Sequence, residues 1–156
     1  MELLHKEITE QIIGAAYEVY RVLGYGFLEK VYQRAMVVEL EKRGCKVLSE
    51  APAQVFFKEV CVGDYFADLF VEEKVVVELK VARELNPADE AQLINELLAT
   101  RQEVGLLINF GRDGVKFKRA INQQNYGTRT AADFAEGADG KPHEKSGSDP
   151  RDPRNP

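Results

Sequence analysis

Residues 64–80, DYFADLFVEEKVVVELK, decide how the rest of the chain is read. They form two β-branched, apolar runs separated by charged residues, the pattern of two strands joined by a tight turn. Asp68, Glu78 and Lys80 interrupt these runs. Charge inside an apolar hairpin is costly unless something compensates it. In the second strand Val75, Val77 and Leu79 fall on one face and Val76, Glu78 and Lys80 on the other, so Glu78 and Lys80 project together. Whether Asp68 joins them depends on the turn. A two-residue loop at Glu72-Glu73 sets Asp68 against Val77, whereas a three-residue loop, Glu72-Glu73-Lys74, pairs Val71 with Val75 and Asp68 with Glu78.

In the second register two hard oxygen donors converge beside an amine. That chemistry suits Mg²⁺ or Mn²⁺ held by one or two carboxylates together with a substrate phosphate. Lys80 would then orient an attacking water or offset charge on the phosphate. The competing reading is a surface hairpin whose lysine pairs with a carboxylate in solvent.

The chain of 156 residues is long enough for one ordinary core, and 44% hydrophobic with 30% charged residues is a globular composition. No apolar run is long enough to span a membrane, and MELLHKEITE lacks the basic start and apolar stretch of a signal peptide, which predicts a cytoplasmic protein. Cys45 and Cys61 form no CxxC and have no clustered histidines near them, so they read as small buried hydrophobes. His5 and His143 lie in a terminal turn and a polar segment, leaving no basis for a Ser-His-Asp or Cys-His mechanism. A net charge of −5 argues against tight non-specific binding to nucleic acid, although a bound cation can reverse the local field of an acidic site.

Upstream, Ile8, Ile12, Ala15, Ala16, Val19 and Leu23 recur at helical spacing over 6–23. Gly24-Tyr25-Gly26 then turns the chain into a second helix, about 27–43, with an expected buried stripe of Leu28, Val31, Tyr32, Ala35 and Val38. Glu29 lies on the flank of that stripe, and on its own it is a first-turn carboxylate favoured by the helix dipole. Residues 46–57 read as an extended segment placed at an edge by Pro52.

Downstream, Asn86-Pro87-Ala88-Asp89 supplies an N-cap, a proline at the first helical position and an early acid for a helix over 87–101. Its core side is Leu93, Ile94, Leu97 and Leu98, while Gln92 and Glu96 stack on another flank. The apolar run 104–110 predicts a central strand, and 115–119 an edge strand with Val115 and Phe117 inward. Arg112, Lys116, Lys118 and Arg119 make the main basic cluster, read as a protected edge or a phosphate track.

The segment Gly26-Phe27-Leu28-Glu29-Lys30-Val31-Tyr32 matches G-x-x-E-x-x-Y, and Asp68 with Glu78-Leu79-Lys80 matches D…ExK, with Ala67 where the usual name has proline. Together with the helix beginning at Pro87, these motifs make residues 8–120 resemble the GxxExxY family of the PD-(D/E)xK nuclease superfamily. The resemblance implies a restriction-endonuclease-like α/β core, a mixed central sheet flanked by helices. It implies a Mg²⁺- or Mn²⁺-dependent nuclease acting on nucleic acid, with DNA the expected substrate. Asp68, Glu78, the Leu79 carbonyl and Glu29 would hold the metal, Lys80 would position the nucleophile, and Gln92 would stand at the edge of the site. Related nucleases carry Q-x-x-x-Y on this helix, whereas here Glu96 replaces the tyrosine.

A nuclease-like domain is thus expected over 1–127. Residues 128–156, with GADGKPHEKSGSDPRDPRNP at their end, are too polar and proline-rich to repay ordering, which predicts a disordered tail. Two other functions remain: a non-catalytic interaction module that keeps the fold, and a small-molecule metal hydrolase, which would need a deep apolar pocket.

Overall fold

The computed structural model describes residues 4–122, so the expectations for the tail at 128–156 lie outside the described residues. Helix α1 (Lys6–Leu23) buries Ile12, Ala15, Ala16 and Val19 and stops at Gly24, where φ is 73°. Helix α2 (Glu29–Lys42) buries Tyr32, Gln33, Met36 and Leu40. This corrects the expected stripe: Leu28 is 77% and Val38 55% exposed. The helix is rotated because the larger side chains gain more by burial. Tyr32 stacks on Phe110 with ring centroids 4.4 Å apart. Its hydroxyl donates to the Gly24 carbonyl and accepts the Phe27 N–H, pinning the inter-helix turn.

Five strands follow: β1 (Val47–Phe57), β2 (Val60–Val71), β3 (Val75–Lys80), β4 (Val104–Gly111) and β5 (Gly114–Ile121). They lie in the order β1-β2-β3-β4-β5, antiparallel except for β3 and β4. That parallel pair requires a crossover, which α3 (Pro87–Thr100) supplies. The Asn86 side chain accepts the Ala88 N–H at 2.9 Å, as its N-cap position predicts. All eight residues of β4 are buried, as a central strand covered on both faces should be.

Pro52 is accommodated because β1 is an edge strand. Phe117 lies opposite Ile108 as its alternation requires, but at the outer strand it remains 40% exposed. Arg119 leaves the expected basic cluster and bonds Thr9 Oγ1 and the Leu4 carbonyl at the start of α1. Cys45 is half-buried, and Cys61 is exposed rather than buried, because it lies near the β1–β2 turn beyond a bulge at Val55/Phe56. Among the described residues no helix is long and apolar enough to cross a membrane.

The sheet separates two apolar cores. One packs α1 and α2 against Leu69, Val71, Val75, Val77 and Leu79, and the other packs α3 against Ala67, Val76 and Leu107, with Tyr65 at its margin. Ala67 and Leu69 are two residues apart yet face opposite sides, although a regular strand would put them on one. The reversal falls at Asp68. Across from it Glu50 has φ 53°, and pairing passes from Ser49↔Leu69 to Ala51↔Ala67 without a bonded pair between them. Both strands therefore turn over at one point, where the acidic residue stands.

Candidate active site

The β2–β3 turn has three residues, Glu72-Glu73-Lys74, and pairs Val71 with Val75. Regular pairing ends at Leu69↔Val77, where the pleat reversal separates the strands. In the opening, Asp68 Oδ2 accepts the Leu79 N–H at 2.7 Å, so a side-chain oxygen serves where a backbone carbonyl would otherwise be the acceptor. The Asp68 carbonyl accepts Gln33 Nε2 at 3.0 Å. Asp68 is thus fixed from both sides: its carboxylate by β3 and its backbone by α2.

Glu78 lies on the α3 side of β3, beside Val76 in the alternation. It accepts a hydrogen bond from the Tyr65 hydroxyl. Burial pushes its carboxyl up to about 8, helped by the charge of Asp68 and, more weakly, Glu96, against the lowering effect of the Tyr65 bond. Glu29 is half-buried at the first position of α2 and is also raised, first by burial and then by Asp68, while Lys80 and Lys30 oppose the rise. The Asp68 charge is therefore felt by both other carboxylates, and Lys80 shares the same electrostatic neighbourhood. Lys80 Nζ lies 3.9 Å from Asp89 in the first turn of α3.

Gln92 is exposed and donates to Glu96 Oε1 at 3.1 Å. Glu96 in turn faces the Tyr65 hydroxyl, so a phenol does occupy this flank, supplied by β2 rather than by α3. The structure thus brings Glu78 and Glu29 within the field of the Asp68 charge and Glu29 within that of Lys80, and reaches Gln92 through Glu96 and Tyr65.

Sequence reasoning missed four supporting residues. Gln33 is 5% exposed and stands one turn after Glu29, a spacing that could have revealed it. Tyr65 was hidden by the pleat reversal. Asp89 was read as a helix-start acid, without its role as the counter-charge of Lys80. Buried Asn109, beside Lys80 in the β3–β4 register, accepts the Ala82 N–H at 2.8 Å and donates to the Ala82 carbonyl at 2.9 Å, fixing the chain just past Lys80.

Among the described residues, no three carboxylate, thiol or imidazole side chains form a ready-made metal cage. What the site offers is two carboxylates, Asp68 and Glu78, on adjacent strands, with the Leu79 backbone between Glu78 and Lys80. A buried Glu78 whose ionisation is made costlier by the Asp68 charge fits a hard divalent cation, which would offset that cost.

A profile of the PD-(D/E)XK nuclease superfamily matches residues 6–121, and the chain belongs to that superfamily. Its mixed five-stranded sheet with flanking helices is the restriction-endonuclease-like α/β core. Among solved structures, SSO0001 is similar over 86% of this chain and 64% of its own, at 17% identity and a TM-score of 0.46. An alkaline exonuclease, LHK-Exo from Laribacter hongkongensis, is similar over 85% of this chain and 89% of its own, at 11% identity and a TM-score of 0.45. The chain thus spans just under two thirds of the length of SSO0001. No curated protein matches the sequence.

Proposed function

We infer that the chain is a divalent-metal-dependent nuclease of the GxxExxY branch, hydrolysing phosphodiester bonds in nucleic acid, with DNA the expected substrate. The observation that carries this reading is the meeting of Asp68 and Glu78 where β2 and β3 separate, two residues from Lys80, in a chain of this superfamily. The GxxExxY residues have a physical account that supports the branch. Gly26 has φ 113°, a conformation that favours glycine, and Tyr32 ties the turn to α2, so Glu29 enters the site at a fixed angle.

Asp68, Glu78 and the Leu79 carbonyl would hold Mg²⁺ or Mn²⁺, with Glu29 assisting directly or through water. The bound cation would supply Lewis-acid polarisation of a phosphoryl oxygen and a nucleophile at neutral pH. The chain's own contribution is positional. Asp68 holds the Leu79 backbone in place, Asn109 fixes the segment after Lys80, and the Lys80 ammonium donates to a phosphate oxygen or to the attacking water. Asp89, 3.9 Å from that ammonium, aims it along the α3 edge. Gln92, exposed on the same edge, is placed to contact substrate.

The test is cleavage of single- and double-stranded DNA and RNA with Mg²⁺, Mn²⁺ or chelator. We expect metal-dependent cutting of at least one substrate and its loss in Lys80→Ala. Absence of cutting on all four substrates overturns the reading. A second reading, an interaction module that keeps the nuclease fold, draws on the net charge of −5 and on the engagement of Lys80 by Asp89.

A further inference from the structure

The nuclease reading leaves Tyr65 without a role, although its hydroxyl is directed at one of the two carboxylates on which the site depends. The ring packs against the α3-side core, with Ala67, Val76, Leu93 and Leu97, and this holds its two torsions. A phenol has one proton to donate, and here two carboxylates face it, Glu78 of β3 and Glu96 of α3. Glu96 already receives the Gln92 amide at 3.1 Å, so its carboxylate is held from the helix side. The Tyr65 proton goes to Glu78. A glutamate has three side-chain torsions, and fixing them costs free energy unless a neighbour restrains it beforehand. Tyr65 is that neighbour, standing on a strand adjacent to the one that carries Glu78.

We propose that Tyr65 is a positioning residue for the metal-binding carboxylate of Glu78, while Glu96, held by Gln92 of α3, leaves the single phenolic proton to Glu78. The inference rests on the nuclease reading and adds to it the device that orients one ligand. It also gives Glu96 a place outside the ligand set, as a second acceptor beside the phenol that Gln92 already occupies. Removing an outer hydrogen-bond partner of a metal ligand costs roughly 10- to 100-fold in metal affinity.

The experiment titrates the full chain with Mn²⁺, read by electron paramagnetic resonance, in wild type, Tyr65→Phe, Glu96→Gln and Glu78→Gln. Cleavage kinetics are measured in parallel, and circular dichroism checks folding. Tyr65→Phe keeps the ring and its packing, and we expect its Mn²⁺ Kd to rise about tenfold. Its kcat should fall at limiting metal while KM for the nucleic acid stays unchanged. Glu78→Gln should lose more affinity than Tyr65→Phe, and Glu96→Gln less. A Tyr65→Phe Kd within about twofold of wild type overturns the inference, being far below the expected loss. So does a Glu96→Gln loss as large as that of Glu78→Gln, which would make Glu96 itself a ligand. Should Tyr65→Phe fail to fold, Tyr65→Met, which fills the same apolar margin without a hydroxyl, is titrated in its place and read against the same tenfold expectation. Wild type that neither binds Mn²⁺ nor cuts refutes the nuclease reading and this inference with it. Wild type that does both, with Tyr65→Phe matching it, refutes this inference only.

Discussion

Replacing Glu78 by glutamine removes one ionisation from the site while keeping its volume and an oxygen that can accept the Tyr65 proton. In the folded protein the Glu78 carboxyl is pushed up to about 8 from an ordinary 4.5, by burial first and the Asp68 charge second. Between those values the folded state binds a proton that the unfolded chain has released, so stability falls as pH rises. This contribution is fully present below 4.5 and is lost as pH passes through about 8. At about 1.4 kcal/mol per pH unit the whole interval is worth about 5 kcal/mol. Local rearrangement and water entry reduce the penalty of a buried charge, so we expect about 3 kcal/mol to be realised. Urea unfolding of wild type and Glu78→Gln, in chelator at about pH 5.5 and about pH 8.5, reads the difference directly. Glu78→Gln should be the more stable of the two at the higher pH, and the gap should narrow at the lower. Saturating Mg²⁺ at the higher pH should close the gap by stabilising wild type alone. A gap that does not change with pH would refute the claim that Glu78 is ionised at the expense of the fold.

Asp68→Asn retains an oxygen for the Leu79 N–H, so the metal-free protein should melt at or slightly above the wild-type temperature. It should lose the metal-dependent stabilisation, which is about 2.7 kcal/mol at a hundredfold excess over Kd. Thermal melts with and without Mn²⁺ check both halves, and an equal metal response in the two proteins rejects the site. Gln33→Leu leaves the part-buried Asp68 carbonyl without its Gln33 donor and should cost about 1 kcal/mol in urea unfolding. It should also weaken Mn²⁺ binding, and a wild-type Kd would show that α2 does not hold Asp68 in place. Tyr32→Phe keeps the stack on Phe110 but releases the Gly24 carbonyl, with an expected loss of about 1 kcal/mol. Because this loosens the entry of Glu29, cleavage should fall further than stability does, and proportional losses would remove Glu29 from the site.

The sequence carried the helix boundaries, the Asn86-Pro87 cap and the buried central strand, because each rests on local chemistry or on unbroken alternation, whereas it left two turn lengths open between β2 and β3 and the Val71↔Val75 pairing chooses the odd one. The α2 stripe was misread because helical spacing admits two neighbouring faces. The choice between them is made by the stack of Tyr32 on Phe110, which lies in a strand far along the chain. Tyr65 was illegible for a similar reason. Counting by twos from Leu69 sends it to the wrong core, and only the left-handed backbone at Glu50, on another strand, shows where the count reverses. Asp68, Glu78 and Lys80 were legible as charges without a local reason to be there. The partners that hold them, Gln33, Asn109 and Asp89, look like ordinary polar residues until the fold brings them near.

The joint at Glu50 and Asp68 also divides the long β1–β2 hairpin into two segments that face opposite cores, although one register runs through both from Val47↔Val71 to Val55↔Gly63. From Leu69 to Val71 the strand is locked to β3, whereas the segment from Ala51↔Ala67 to Phe57↔Val60 is paired only within the hairpin. Residues can be added or removed in pairs at the Lys58-Glu59 tip without moving Asp68 relative to Glu78, since the change is confined beyond the joint. One residue added to Glu72-Glu73-Lys74 would instead shift every position of β3 to the opposite face and carry Glu78 and Lys80 away from α3. The fold thus leaves an arm free to vary in length while the frame that carries the carboxylates stays fixed.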